Sequence, residues 1–336
     1  MNKRPNINDL AKLLKLSSST VGAALSGRGG NTRVSEATRL RVQQAAQRLN
    51  YRVNASASSV RTRRFNNIGF FTAKKRPSDY SFADAMCQGI STAAKKHGQN
   101  VVLVRISELM EADLDLPRAL TEACLDALVI HDASNITTTF QNVVESMGIP
   151  VSYVNEKRPA NATYVDDVMA GRLMAEHLLA QGFRKLMMLA PLASRMHYSS
   201  ADRVQGYTEV LSRAGINPVI KTPGANWKED VQSWLDVADL PEVIFCGDDQ
   251  NALYLQRILH RLRLRAPEDI AIAGCNDEIF AEHSPVPLTT LRIDFPGMAQ
   301  VAVDLAMQMF ETGEKSLPSV VFKPELVVRE STRRAA

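Results

Sequence analysis

Along the first fifty residues, apolar side chains recur every three or four positions, which is the period of one face of an α-helix. The pattern restarts twice, and a residue with a good N-cap side chain precedes each segment: Asn6, Ser17 and Ser35. About two residues separate the first helix from the second, which is typical of a helix-turn-helix, whose second helix enters the major groove of DNA. Other short helical pairs share this spacing, but the hydroxyl-rich start of the second helix favours contact with phosphates and base edges.

From residue 66 onward, short continuous apolar runs alternate with amphipathic stretches. The runs predict strands at 68–71, 101–106, 127–130, 151–154, 186–189, 243–246 and 270–273. The amphipathic stretches predict helices near 82–97, 167–181, 199–214 and 249–264. This alternation indicates parallel sheets that are covered on both faces. About 270 residues is long for one such sheet, so two α/β subdomains are predicted.

Charge divides the chain at the same place. Residues 1–64 carry 13 Lys and Arg against two acidic residues, a net charge of +11, whereas the remaining 272 carry 27 against 34, a net charge of −7. A basic module that binds a polyanion is therefore predicted on an acidic body. A disordered basic tail would give the same charge, but the helical pattern favours a folded DNA-binding domain.

The order of these signals is specific. The sequence runs AsnIleAsnAspLeuAlaLysLeu, then LeuSerSerSerThrValGlyAlaAlaLeuSerGly, ValSerGluAlaThrArg, LeuAsnTyrArgValAsnAla and SerValArgThr. It resembles the head of the lactose-repressor/galactose-repressor family of bacterial transcription regulators over residues 6–62, and the resemblance continues to about residue 330. The family implies a helix-turn-helix domain (1–52), a hinge helix or linker (53–64) and a core (65–336). The core would consist of two doubly wound parallel-sheet subdomains of periplasmic-binding-protein type, about 65–162 with 292–320, and about 163–291 with 321–336.

The resemblance implies roles in DNA binding. Ser18, Ser19 and Ala23 match base-reading positions, and Val60 matches an apolar wedge that enters the minor groove from the hinge helix. The DNA-contacting residues expected are Asn6, Ser17, Ser18, Ser19, Thr20, Ala23, Arg28, Arg33, Tyr51, Asn54, Ser59 and Val60. The family usually has a larger polar residue at Ala23, so weaker direct readout and more dependence on DNA shape are expected. Replacement contacts from Arg28, Arg33 or Lys15 are the alternative. The hinge segment is expected to become helical on DNA, although its composition also suits a flexible linker.

The resemblance also implies an effector site in the cleft between the subdomains, outside the carboxyl ends of the strands. Arg203 in ArgValGlnGlyTyr matches the family's ArgXxxXxxGlyPhe signature, whose Arg holds ligand oxygens. The effector-contacting residues expected are Phe82, His131, Asp132, Arg203, Trp227, Asp248, Asn276 and Phe295. Simpler roles stay open: a surface ion pair for Arg203, helix capping for the carboxylates that follow 243–246, an ordinary polar lining role for His131, and core packing for the aromatic residues. A sugar, a sugar acid or a purine would suit this set.

Other classes of function lack their signals in the sequence. The four cysteines and six histidines form no close metal-binding pairs, and no phosphate-binding loop or nucleophile elbow occurs. No cofactor, metal or catalytic residue is expected, and neither a signal peptide nor a membrane span is predicted. We expect a cytoplasmic homodimeric regulator, most simply a repressor, that binds double-stranded operator DNA under the control of a small molecule. The alternative is a small-molecule-binding protein or enzyme whose basic head binds RNA.

Overall fold

A computed structural model describes residues 5–26, 34–52, 59, 64–73, 80–106, 116, 118–122, 124–131, 136–190, 197–224, 226–235 and 239–334, without the side chains of residues 73, 80–83, 227 and 228. The chain divides into two compact units, Met1–Phe65 and Asn66–Ala336. We call them the head and the core.

The head contains the three helices that the pattern predicts: α1 (Ile7–Leu14), α2 (Ser18–Ser26) and α3 (Glu36–Arg48). A capping box begins α1, because the Asn6 side chain accepts from the Asp9 N–H (3.2 Å) and the Asp9 carboxylate accepts from the Asn6 N–H (2.8 Å). Ser17 and Ser35 cap the other two helices through their hydroxyls. The helices enclose a small apolar cluster of Leu10, Ala11, Val21, Ala24, Val42, Ala45 and Ala46.

The turn between α1 and α2 depends on one left-handed residue. Lys15 ends α1 with φ 54° and ψ 44°, and its backbone N–H donates to carbonyls of the last turn. This left-handed conformation disfavours residues with a Cβ, so Lys15 carries a backbone cost that glycine would not.

The core alternates strands and helices. Its strands are β1 (Asn67–Ala73), β2 (Asn100–Ile106), β3 (Ala127–His131), β4 (Val151–Val154), β5 (Ala162–Val165), β6 (Leu186–Leu189), β7 (Val219–Lys221), β8 (Val243–Cys246), β9 (Ala271–Ala273), β10 (Thr290–Arg292), β11 (Val320–Phe322) and β12 (Glu325–Val327). Its helices are α4 (Tyr80–Lys96), α5 (Arg118–Thr121), α6 (Thr138–Ser146), α7 (Asp167–Ala180), α8 (Tyr198–Arg213), α9 (Trp227–Trp234), α10 (Asp249–Arg261), α11 (Ile279–His283) and α12 (Phe295–Thr312), with a 3₁₀ turn at Glu330–Thr332.

These strands form two parallel sheets. The first sheet has six strands in the order β11–β5–β4–β3–β1–β2, and the second has four in the order β7–β6–β8–β9. A short antiparallel pair, β10 with β12, stands apart from both. The two parallel sheets confirm the α/β core with two subdomains. The first sheet includes β5 and β11, which extend a few residues past the limits predicted for the N-terminal subdomain, and the exact division of the core stays a prediction.

Helices cover both faces of each sheet. Along β1, Ile68 and Phe70 point to a large cluster that also contains residues of α4, α7, α8 and α12, whereas Phe71 points to the opposite face. A third cluster covers the far face of the second sheet with α9, α10 and α11 residues such as Val231 and Leu255. This burial on both sides explains why the strands read as continuous apolar runs.

Candidate functional site

The exposed start of α2 carries the hydroxyl groups expected to meet DNA. The Ser17 hydroxyl lies 2.7 Å from that of Ser19 and 2.8 Å from that of Thr20, and it caps the helix by accepting from the Thr20 N–H. Ser18 is also exposed, whereas Val21 on the next turn is fully buried. The helix therefore turns its polar N-terminal end to solvent while its apolar side holds the head together.

The remaining DNA-contact predictions fall in different environments. Ala23 is half-buried on α2, the Asn6 side chain is engaged in capping α1, and Tyr51 packs against the apolar cluster of the head. Within the predicted hinge segment 53–64 the structure describes Ser59, which is buried, and Arg64 at its end. Arg28, Arg33, Asn54 and Val60 lie outside the described residues, so their roles stay predictions.

In the core, Arg203 is brought to the carboxyl edge of the second sheet by a close pairing of α7 and α8. A Cβ on Gly206 would lie 1.9 Å from the carbonyl oxygen of Val168, and one on Gly171 would lie 2.1 Å from that of Arg203. The two backbones are thus in direct contact, which only glycine at both positions allows. The glycine of the ArgValGlnGlyTyr signature is explained by this contact.

The Arg203 side chain is buried in an ion pair. Its Nε and Nη2 donate to Asp167 Oδ1 (3.0 and 2.6 Å), and its Nη1 donates to the carbonyl oxygen of Gly247 (2.5 Å), which follows β8. Burial would lower the pKa of the guanidinium, but nearby negative groups, Asp167 among them, raise it above its ordinary value. Burial raises the pKa of the Asp167 carboxyl, while the guanidinium acts in the opposite direction and its two bonds favour the ionised form.

Two aspartates after β8 have different environments. Asp248 is the N-cap of α10, because its Oδ1 accepts from the Asn251 N–H (2.6 Å) and its Oδ2 from the Asn251 side-chain amide (2.7 Å). Asp249 is fully buried and accepts from the Thr290 hydroxyl (2.6 Å) and the Glu278 N–H (2.8 Å). Burial raises the Asp249 pKa to about 7. Helix capping was expected as the simple role of these carboxylates. Asp248 caps the helix, whereas Asp249 bonds to Thr290 and Glu278.

Asn276 lies in a constrained loop after β9. Asn276 and Asp277 both have positive φ, 113° and 52°, a region that residues with a Cβ seldom adopt. The Asp277 carboxylate holds the loop by accepting from Arg292 Nε (2.8 Å) and Arg329 Nη2 (2.7 Å). Asn276 is therefore presented by a loop that is tied to β10 and to the segment after β12.

The N-terminal end of α8 joins the second sheet to the first. The His197 ring donates to the carbonyl oxygen of Asn155, the residue after β4, over 2.9 Å. The Tyr198 hydroxyl accepts from the Val165 N–H (2.9 Å) and donates to the Asn155 side chain (3.3 Å). These contacts place the Arg203 helix at the junction of the two sheets.

The other residues predicted for the effector site lie in different environments, and their roles stay predictions. His131 ends β3 with its Nδ1 3.0 Å from the Thr72 hydroxyl, and it is almost fully buried. Phe295, in the first turn of α12, belongs to the large apolar cluster. Asp132 and the side chains of Phe82 and Trp227 lie outside the described residues.

Sequence reasoning missed two groups that shape this site, Asp167 and Asp277. Each is an ordinary aspartate in sequence, one near a helix start and one in a loop. Their arginine partners are 36, 15 and 52 positions away, so no local pattern indicates the pairing.

The described residues contain no group of three metal-binding side chains that could hold an ion. None of the helices over the described ranges is both long enough and apolar enough to cross a membrane. The four cysteines are free, and Cys246 and Cys275 are fully buried.

Comparison with known proteins identifies both units. Residues 6–54 match the model of bacterial regulatory proteins of the lacI family, and residues 175–332 match that of a periplasmic binding protein-like domain. The head therefore carries a lacI-family domain, and the core carries a periplasmic binding protein-like domain. Among its curated relatives, the HTH-type transcriptional repressor PurR of Vibrio vulnificus is 24% identical over 98% of both chains. The probable HTH-type transcriptional repressor ExuR of Bacillus subtilis is 23% identical, again over 98% of both.

Solved structures of the same fold cover nearly the whole chain. The lac repressor dimer bound to operator and the anti-inducer ONPF superposes with a TM-score of 0.81 at 23% identity, over 98% of this chain and 99% of that one. The complex of the transcriptional regulator CelR with cellobiose gives a TM-score of 0.69 at 21% identity, over 98% and 100%. The helix-turn-helix head and the two-sheet core are therefore those of the lac repressor fold.

Proposed function

We propose that this chain is a sequence-specific transcriptional regulator, most simply a repressor, whose affinity for operator DNA is controlled by a small molecule bound in the cleft of its core. One observation carries the proposal: a helix-turn-helix head is joined in one chain to a core of periplasmic-binding-protein type. The curated relatives are regulators and not enzymes, which supports a binding role. The DNA-bound relative is a dimer. By analogy, this chain is proposed to bind a near-palindromic operator in the cytoplasm as a homodimer.

The proposed contacts follow the geometry. The exposed hydroxyls of Ser18 and Ser19 would meet base edges, and Ser17 and Thr20 would meet phosphates. In the core, the groups around Arg203, Asp248 and Asn276 would contact the effector. The CelR complex with cellobiose supports a sugar-like ligand for a core of this fold.

Deletion of residues 1–64 tests the proposal directly. The full chain is expected to retard duplexes from its own genome's regulatory regions, whereas the chain that starts at residue 65 loses this binding and keeps its ligand. Gel retardation measures the first property, and thermal shift with a metabolite panel measures the second. A preference for RNA over duplex DNA in direct competition would contradict the proposal, and a full-length chain that sediments as a monomer at micromolar concentration would contradict the dimer.

A further inference from the structure

Lys15, in the turn between α1 and α2, has a backbone conformation that costs free energy. Its φ of 54° and ψ of 44° lie in the left-handed region, which glycine adopts freely and residues with a Cβ do not. Such conformations persist where the surrounding structure imposes them, and they are concentrated at functional sites. The head therefore keeps a lysine where a glycine would be more stable.

The ammonium group of Lys15 has no partner within the described part of the chain. The residue is exposed, and no ion pair or side-chain hydrogen bond joins it to another described residue. The segment 1–64 has two acidic residues, Asp9 and Glu36. Asp9 accepts from the Asn6 N–H (2.8 Å) at the opposite end of α1, and Glu36 lies in the first turn of α3. The positive charge of Lys15 is thus left facing solvent.

The C-terminal end of α1 does not need Lys15 for its stability. A cation at this end interacts favourably with the helix dipole. Lys12 already lies in the last turn of α1, and Arg41 of α3 donates to the Leu14 carbonyl oxygen over 3.5 Å. Both of these cations have ordinary helical backbones. A third cation in a left-handed conformation is therefore not explained by the helix dipole.

Lys15 lies beside the surface that is proposed to meet DNA. It comes two residues before Ser17, whose hydroxyl lies 2.7 Å from that of Ser19 and 2.8 Å from that of Thr20. Cα atoms at this separation in sequence are at most about 7 Å apart. The flexible four-carbon stem of lysine extends the reach of its charge further. The ammonium group can therefore meet a phosphate next to those proposed for the α2 hydroxyls.

Beyond its first residues, α2 offers little for reading base edges. The run ValGlyAlaAlaLeu at 21–25 contains no side chain that can form a hydrogen bond. Val21 and Ala24 are fully buried in the head, and Ala23 presents a methyl group, which can contact the methyl group of thymine but cannot hydrogen-bond to a base. A helix with so few polar groups gains affinity mainly from contacts to the phosphate backbone.

We propose that Lys15 is a further DNA-contacting residue that binds a backbone phosphate, and that the head gives up stability at this turn in exchange for affinity that does not depend on base sequence. The inference rests on the proposed function, since it adds a contact to the same DNA-binding surface. Lysine meets a phosphate as a point charge and carries no information about sequence. Lys15 therefore strengthens binding to operator and to unrelated duplexes equally.

Three variants at this position separate charge from backbone strain in the full-length chain. Lys15→Gln keeps the Cβ and removes the charge, Lys15→Gly removes both the charge and the strain, and Lys15→Arg keeps both. Binding is measured over a range of salt concentrations on two probes. One probe is the duplex that the wild-type chain selects from a random-sequence library, and the other is a scrambled duplex of the same length and composition. Arg261→Gln is the matched control, because it removes one exposed positive charge from α10 of the core.

Lys15→Gln is expected to weaken binding to both probes by about threefold to tenfold for each bound head. It should also lower the slope of log K against log salt by about one for each head. Lys15→Gly should lose as much affinity although its head is more stable, whereas Lys15→Arg and Arg261→Gln should keep the wild-type slope. A purely structural role predicts the opposite result for Lys15→Gly, because a more stable head would bind at least as tightly as the wild type.

An unchanged slope in Lys15→Gln overturns the inference, and so does wild-type affinity in Lys15→Gly. A loss confined to the selected probe would mean that Lys15 reads a base edge, which also contradicts the phosphate contact. If Lys15→Gln does not fold, the comparison of Lys15→Gly with Lys15→Arg decides. A wild-type chain that retards neither probe at low salt refutes the proposed function, and the inference fails with it. Equal slopes in wild type and Lys15→Gln, when both bind DNA, refute the inference alone.

Discussion

The phenol hydroxyl of Tyr207 lies inside the large apolar cluster of the core. The residue is fully buried, its ring centroid is 5.5 Å from that of Phe245, and its hydroxyl has no hydrogen-bond partner among the described residues. A buried polar group without a partner costs free energy, because water that hydrated it in the unfolded chain is not replaced. Burial accordingly raises the Tyr207 pKa far above the ordinary range of a phenol.

Tyr207→Phe is therefore expected to raise the free energy of unfolding by about 1 kcal/mol. Urea unfolding of the full-length chain, followed through the core transition, measures the change. Tyr198→Phe is the control on the same helix, because the Tyr198 hydroxyl both accepts from Val165 and donates to Asn155. This control is expected to destabilise the core. Two variants that shift stability in the same direction would contradict the assignment.

Asp249 makes the stability of the core depend on pH. Its folded-state pKa of about 7 is above the ordinary value of an aspartate, so between about pH 4 and pH 7 the folded core holds a proton that the unfolded chain releases. The free energy of unfolding therefore falls as the pH rises through this window and levels off above it.

Asp249→Asn is expected to remove this dependence. Relative to the variant, the wild type should lose stability from pH 5 to pH 7 by at most about 1.4 kcal/mol per pH unit. Denaturant unfolding of both proteins at each pH measures the difference. Parallel pH profiles for the two proteins would show that Asp249 does not titrate in this range.

The helices α7 and α8 pack with their backbones in direct contact, which leaves no room for a side chain at Gly206. A methyl group on Gly206 would overlap the Val168 carbonyl oxygen, which is backbone and cannot rotate away. Gly206→Ala is therefore expected to lower the free energy of unfolding by about 3 kcal/mol and to weaken effector binding by displacing Arg203. Gln205→Ala, the exposed neighbour on α8, is the control and should leave both properties nearly unchanged. Thermal unfolding and ligand titration of the two variants measure these effects.

In the turn between α1 and α2, a change to glycine is expected to stabilise the protein. Lys15 adopts φ 54°, so Lys15→Gly relieves the Cβ penalty of the left-handed conformation and is expected to stabilise the head by about 1 kcal/mol. Hydrogen exchange of the α1 and α2 amides in the full-length chain measures this gain. Lys15→Ala, which keeps the Cβ and removes the charge, should show no gain. If both variants protected these amides from exchange equally, the change in stability would come from loss of the Lys15 charge and not from relief of backbone strain.

Elements with a strong local pattern could be predicted from the sequence, and those that depend on distant partners could not. The seven apolar runs became strands, and the three helices of the head begin beside the predicted cap residues. The strands β5, β7, β10, β11 and β12 have only three or four residues each and were missed. β11, for example, exists because it pairs with β5, more than 150 positions earlier in the chain. Likewise, Arg203 could be identified from its sequence signature. Its partner Asp167 is 36 positions away and could be identified only from the structure.

Over the whole molecule, the two units have opposite charge. The head segment 1–64 carries a net charge of +11 and the rest −7. Since DNA binding releases counterions from the phosphates, operator affinity is expected to fall by about a thousandfold between roughly 50 and 200 mM salt.

Titrations of operator DNA with the full-length chain at several salt concentrations measure this dependence. The core that starts at residue 65 serves as the control. It should pass through a heparin column unretained, because its net charge of −7 has the same sign as the charge of heparin. Retention of the core, or an operator affinity that does not depend on salt, would contradict the division of roles between the two units.

The contact of glycine backbones between α7 and α8 has a mechanical consequence. Because no side chain separates the two helices at Gly171 and Gly206, neither can slide without opening a gap or creating a clash. The helix that holds Arg203 and the helix that follows β5 must therefore move as one rigid body. A ligand that draws Arg203 by a fraction of an ångström would displace the end of β5 by a similar amount, and the signal would cross from one sheet to the other without any change of rotamer.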